Sequence, residues 1–245
     1  MKKIDFYCGL GEDLKVNADS SKIISYMDEY AVDIAVISPL GKGFIHKFVE
    51  ENQNIVDCVR KNRERFIGFC TVNPWFENCI KEVRKRVSQD GCRGIVLNPS
   101  RQGFSISSPL IYPLIEECEY LNLPIYFYTG TSIYDLPLNL ALLAGRFPQV
   151  IFIMGRMGTA DYWMDVEAAL ELTDNLMVET SVNPNTKLIE VLVKRFGPER
   201  ILFGSGFPFT DPEYEIRKIQ ICDLSEKDKE LIMFTNASRL LKIKS

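Results

Sequence analysis

Histidine is nearly missing from this sequence. Of 245 residues only His46 carries an imidazole, and it falls in or just before the second helical stretch, where a surface or capping role suits it. A catalytic zinc site generally takes three ligands from His, Cys and carboxylates and keeps one position open. Serine and cysteine nucleophiles usually depend on an adjacent base. Both schemes lack their commonest component. The seven cysteines, at 8, 58, 70, 79, 92, 118 and 222, form no Cys-x-x-Cys pair and sit mostly among apolar neighbours, so they read as reduced core thiols instead of a disulfide framework. No apolar run is long enough to span a bilayer, and the N-terminus enters a strand within three residues without a signal-peptide apolar region. The expected compartment is the cytoplasm. A formal charge of -4, with both signs interspersed, gives neither a nucleic-acid footprint nor a surface drawn to anionic lipid. No Gly-x-Gly-x-x-Gly follows a predicted strand, and no cofactor is expected.

What the sequence does have is alternation between strand and helix patterns. Strands are predicted at 3–7, 33–38, 66–72, 92–97, 124–128, 150–154, 175–180 and 201–203. Between and after them run helical stripes at 20–30, 45–61, 76–87, 109–121, 136–145, 161–172, 185–196 and 213–222, with a terminal helical segment from 225 to 243. Pro109 and Pro137 suit first-turn positions, where a missing N–H costs nothing. Short connections between alternating elements require a mostly parallel sheet. Eight such units in 245 residues, 46% of them apolar, favour one α/β domain spanning 1–245, a (β/α)8 TIM barrel with an extra C-terminal helical segment. Its chemistry is then expected where the strands end, for example in the Gly204–Pro208 loop.

Several motifs resemble the amidohydrolase-related family that includes aminocarboxymuconate-semialdehyde decarboxylase and similar decarboxylases and hydrolases. Phe196-Gly-Pro-Glu-Arg-Ile-Leu-Phe-Gly-Ser205 is similar to the approach to that family's eighth strand, and Asn236-Ala-Ser-Arg-Leu-Leu241 to its closing segment. Phe147-Pro148 through Met157-Gly158 resembles the sixth strand and Ile4-Asp5 the opening. The resemblance implies a metal held by two first-strand histidines, a fifth-strand histidine and an eighth-strand aspartate, with a sixth-strand histidine as acid/base. The matching positions are Tyr7, Gly9, Tyr128, Gly206 and Arg156. None is an ordinary metal ligand, and no metal site is expected. Asp5 and Glu179 alone seldom specify a divalent ion. Ser205 lacks the glycine two positions earlier that a nucleophile elbow needs, and Cys8, opposite in facing to Asp5 and Tyr7 on an alternating strand, is expected among the helices.

A polar, aromatic barrel mouth remains, with Asp5, Tyr7, Asn73, Asn98, Arg101, Tyr128, Arg156 and Glu179 as candidate ligand-binding residues. Met154 and Arg156 share a facing if strand alternation persists, which would turn Arg156 to the barrel axis to pair with Asp5, Glu179 or an anionic ligand. The first expectation is a metal-free, non-catalytic protein that binds or senses a small anionic or carboxylated ligand, because all metal and acid/base positions are lost together. The alternatives are a metal-independent lyase, isomerase or hydrolase acting through Arg156 with Tyr7 or Tyr128 as proton donor, and a structural or partner-binding subunit. A homodimer is expected from the prevalence of two-fold assembly, with Tyr162, Trp163 and Met164 at an interface or covering the mouth.

Overall fold

The computed structural model describes residues 1–14, 16–159 and 161–243. Nine strands are defined among them: β1 (Ile4–Asp13), β2 (Val16–Ala18), β3 (Ile34–Pro39), β4 (Phe66–Gly68), β5 (Ile95–Leu97), β6 (Ile125–Tyr128), β7 (Phe152–Gly155), β8 (Leu176–Glu179) and β9 (Ile201–Leu202). They form two sheets, ordered β2-β1-β3-β4 and β5-β6-β7-β8-β9. Every pairing is parallel except β1 with β2. Single parallel bridges, Cys70 with Ile95 and Cys8 with Phe207, link the sheets at both seams. At the second seam Phe6 N–H donates to the Phe203 carbonyl at 2.9 Å and Gly9 N–H to that of Phe207 at 2.8 Å. The fold is α/β and TIM-barrel-like, with additional helices.

Side-chain alternation divides the core into two layers. On β6, Tyr126 and Tyr128 join Ile4, Phe6, Val96, Ile153 and Leu202 inside the ring of strands. Ile125 and Phe127 point the other way, into the larger layer shared with the helices. The helix Ser20–Glu29 shows how that outer layer is built. Asp19 caps it by accepting from Lys22 N–H at 2.9 Å, and Ile23, Tyr26 and Met27 form its buried face.

The strand expected at 66–72 ends at Gly68, and a short helix not expected lies at Pro99–Gln102. Two larger differences concern the first strand and the terminal segment. The first strand continues from Tyr7 to Asp13 and folds back on β2, pairing Gly11 with Ala18 and Asp13 with Val16. Gly9 and Gly11 weaken the strand signal there, since glycine is depleted in strands. The terminal segment 225–243 is interrupted: helices Glu226–Glu230 and Asn236–Leu240 flank a π turn at Leu231–Thr235.

Asn236 ties that segment to the barrel. Its side-chain amide donates to the carbonyls of Pro198 at 2.7 Å and Ile201 at 2.8 Å, groups at the edge of the short strand β9. Asn236→Ala leaves those acceptors with fewer partners in a buried place, a loss of about 1–3 kcal/mol. Urea unfolding should show a lower midpoint with unchanged slope; an unchanged midpoint would contradict this anchoring role.

Candidate active site

The strand ends enclose a cavity of about 240 Å³. β1 contributes Asp13 to its wall, the segment after β3 Gly41 and Phe44, the segment after β5 Asn98 and Arg101, and β6 Tyr128. Arg156 follows β7 and Phe209 follows β9. The Arg156 guanidinium lies 4.5 Å from the Tyr128 ring centroid and 5.4 Å from that of Phe209, close enough for both faces to attract the cation. Its Nε is buried without a hydrogen-bond partner, as is the Tyr128 hydroxyl. Among the described residues Arg156 forms no ion pair. A buried donor and a buried hydroxyl left unpaired in one cavity are costly unless something else satisfies them.

Arg156 reaches this position through its backbone. Met154 packs on the helix side and Ile153 inside, so unbroken alternation would have sent Arg156 toward the helices. The chain instead leaves β7 at Gly155 and passes through three consecutive left-handed residues, Arg156 (φ 65), Met157 (φ 47) and Gly158 (φ 63). Two of these carry side chains, at about 1–2 kcal/mol each, and such strain persists where surrounding contacts over-determine it. Here the Glu179 carboxylate accepts from Arg156 N–H at 3.0 Å, Thr159 Oγ1 donates to the Arg156 carbonyl at 2.6 Å, and Asn183 Nδ2 donates to that of Met157 at 3.0 Å.

Glu179 is the centre of that support. It also accepts from the Tyr126 hydroxyl at 2.7 Å, the Ser181 hydroxyl at 2.9 Å and Ser181 N–H at 2.5 Å. Burial raises its pKa, and these hydrogen bonds work against the rise. A side chain on Gly204 would overlap the carboxylate, so glycine is required opposite it.

Four sequence candidates, Asn98, Arg101, Tyr128 and Arg156, meet at the cavity; the other four do not line it. Asp5 faces the helix layer, not the mouth. The β1 register shifts between Asp5 and Cys8, and this bulge puts Phe6 and Tyr7 both inside. Asp5 accepts from Cys8 Sγ at 2.8 Å, Ser205 N–H at 2.8 Å, Tyr7 N–H at 3.1 Å and, at close range, the Tyr26 hydroxyl. It fastens the β1 seam, and burial raises its pKa against those hydrogen bonds. Cys8 belongs to the helix-side layer as expected. Tyr7 lies beneath the cavity, stacked on Tyr126 at 5.1 Å and edge-on to Tyr128 at 5.3 Å, with its hydroxyl unpartnered. Asn73 holds its own loop, donating to the Ile45 carbonyl and accepting from Trp75 N–H. Glu179 supports Arg156 through its backbone; its carboxylate makes no ion pair with the guanidinium. Asp13, Phe44 and Phe209 were not foreseen. Asp13 lies in the glycine-diluted extension of β1, and the two phenylalanines are indistinguishable from core residues by pattern.

The donor set does not fit the divalent ion that the family resemblance implies. The implied ligand positions hold two phenols and two glycines, and the acid/base position holds a guanidinium whose charge opposes a cation. Among the described residues no group of three His, Cys, Asp or Glu side chains is placed to hold a metal.

A pocket at the strand ends is where a TIM-barrel-like frame places its ligand site, and the family follows from the sequence. Residues 25–243 match the Amidohydro_2 family, described as Amidohydrolase, and the chain belongs to it. It is 24% identical over 249 aligned positions to gamma-resorcylate decarboxylase of Rhodococcus jostii (strain RHA1), covering 78% of this chain and 75% of that one. It is 22% identical over 284 positions to the enzyme of that name from Polaromonas sp., covering 90% and 86%. Among solved structures, 5-carboxyvanillate decarboxylase from Sphingomonas paucimobilis superposes with a TM-score of 0.81 at 16% identity, over 99% of each chain. A manganese-bound dihydroxybenzoic acid decarboxylase from Polaromonas sp. gives 0.78 at 16% identity, over 99% and 97%. The expectation of a non-catalytic binding or regulatory protein is overturned by these relatives, which match across most of both chains and are named as decarboxylases. Among the described residues no helix is long and apolar enough to cross a membrane.

A bound ion would stabilise the fold by mass action. Manganese or zinc at about 1 mM should therefore leave the thermal midpoint within about 1 °C of that in chelator, since no fitting donor set is present among the described residues. A rise of several degrees, with stoichiometric metal by elemental analysis, would contradict the misfit.

Proposed function

We propose that this protein is a metal-independent lyase that removes the carboxyl group of a small aromatic carboxylate as carbon dioxide, working at the mouth of a closed barrel. The single observation that carries the reading is Arg156, an unpaired guanidinium held by strained backbone over Tyr128 in a partly enclosed cavity. The decarboxylase names of the sequence relatives support the reaction class. Cavities that take drug-sized ligands run from about 300 Å³ upward; one of about 240 Å³ suits a single ring with few substituents. The bridges at both seams support closure of the barrel.

Arg156 offers a planar fork to the carboxylate and fixes its orientation, while Phe44, Tyr128 and Phe209 provide faces for the ring. In the reaction a proton joins the ring carbon bearing the carboxylate, the carbon–carbon bond breaks, and its electron pair returns to the ring as carbon dioxide leaves. The Tyr128 hydroxyl is the donor in this reading, because Tyr128 lines the cavity and Tyr7 does not. Burial raises the Tyr128 phenol by more than the Arg156 charge lowers it, so the hydroxyl keeps its proton until the ring carbon takes it, and water then returns a proton to the phenolate. The working form is taken as a homodimer; the exposed Trp163 and Met164 beside the β7 loop support an interface there.

Arg156→Met removes the fork and keeps comparable bulk. Calorimetric titration with 2,6-dihydroxybenzoate should show affinity at least tenfold weaker, about 1.4 kcal/mol, and carbon dioxide release reduced at least as much, with an unchanged circular dichroism spectrum. Equal affinity in both proteins would remove Arg156 from the site.

A further inference from the structure

The charge balance of the cavity points to which carboxylates it accepts. Among the described lining residues the charged side chains are Asp13, Arg101 and Arg156. Two of them cancel. Asp13 Oδ1 accepts from Arg101 Nη1 at 2.9 Å, and Oδ2 lies 2.7 Å from Arg101 Nη2, so the guanidinium fork is filled at two points. The Asp13 side chain is only 7% exposed and Arg101 38%, placing the negative member of the pair on the protected side. Both ends of the pair are anchored locally. Asp13 Oδ1 takes Leu14 N–H at 2.7 Å, and Asn98 Oδ1 takes Arg101 N–H at 3.2 Å. Burial pushes the Asp13 carboxyl up, but the Arg101 and Leu14 hydrogen bonds and the charges of Arg101 and Arg156 outweigh it, so the group sits below its ordinary value and is ionised at neutral pH.

Among the described residues Arg156 has no ion-pair partner, and its buried Nε has no hydrogen-bond partner. We propose that Asp13 is a specificity-determining residue: by occupying Arg101 it leaves Arg156 as the one free cation among the described lining residues and restricts the cavity to carboxylates bearing a single negative charge. This rests on the carboxylate-binding reading of the same site. A second carboxylate on the ligand would meet a guanidinium whose charge and one fork are already matched by Asp13, and a like charge beside it. Leaving a buried charge unpaired is the repulsive element by which sites reject the wrong ligand. Without Asp13, Arg101 would be a second anion clamp a short distance from the first.

The test compares isophthalate with 3-carbamoylbenzoate, which share ring, shape and hydrogen-bonding reach but differ by one charge. Binding is measured by calorimetric titration at pH 7.5 and fixed ionic strength. Wild type should prefer the carbamoyl monoanion by about tenfold or more. Asp13→Asn keeps an oxygen for Leu14 N–H and frees Arg101; isophthalate should then bind at least tenfold tighter than to wild type, while the monoanion changes less than about threefold. The double variant Asp13→Asn/Arg101→Gln restores the original net charge and should restore the original preference. Arg101→Gln alone leaves Asp13 uncompensated beside Arg156 and should weaken the monoanion about tenfold, an outcome readable even if the asparagine variant fails to fold. An unchanged preference in Asp13→Asn, a double variant that keeps the gain in isophthalate affinity, or an Arg101→Gln protein that binds the monoanion like wild type would each overturn the proposal. Wild type that binds neither ligand removes the carboxylate reading, and the charge filter with it.

Discussion

The mouth of this barrel depends on the Glu179 carboxylate. Its hydrogen bonds reach β6 through Tyr126, the residue after β7 through Arg156 N–H, and its own loop through Ser181, while Gly204 after β9 makes room for it. A buried carboxylate is costly unless its oxygens are satisfied, and here every hydrogen-bonded partner is a donor. The return on that arrangement is geometric. It holds Arg156 in a left-handed conformation that β7 would not otherwise adopt, and so turns a guanidinium over Tyr128 instead of into the helix layer.

A cation fixed to the frame changes what the site can do relative to a metal centre. A divalent ion polarises its ligand by direct coordination, whereas a guanidinium provides directional hydrogen bonds and one charge. The positions at which the family resemblance implies ligands have become phenols and glycines, and aromatic faces now surround the cation. Those faces also narrow the cavity to the size of one ring. Both changes suit recognition of an aromatic carboxylate, with Asp13 setting the charge the ligand may carry.

Much of the frame was legible in the sequence because strand and helix periods differ and the connections are short. The mouth was legible only in part. Tyr128 and Arg101 lie where a regular strand end and a following turn place them. Asp5 was misplaced because a bulge reverses facing in β1 without any mark in the hydrophobic pattern. Arg156 was expected in the mouth by alternation, yet alternation would have sent it outward; the left-handed turn brings it in, and no pattern of apolar residues reports a φ angle. Asp13 was missed because Gly9 and Gly11 conceal the strand that carries it. The loss of the metal ligands was plain residue by residue, but loss of one chemistry is silent on whether another replaced it.

The most direct measurement is carbon-13 NMR of chelator-treated protein in D2O with a panel of single-ring aromatic carboxylates, following the ring carbon that bears the carboxylate. A metal-independent lyase predicts that at least one member loses its carboxylate and gains deuterium at that carbon in the presence of chelator, and that Arg156→Met abolishes the decarboxylation. Turnover that appears only after manganese is added, or that survives loss of Arg156, would contradict it.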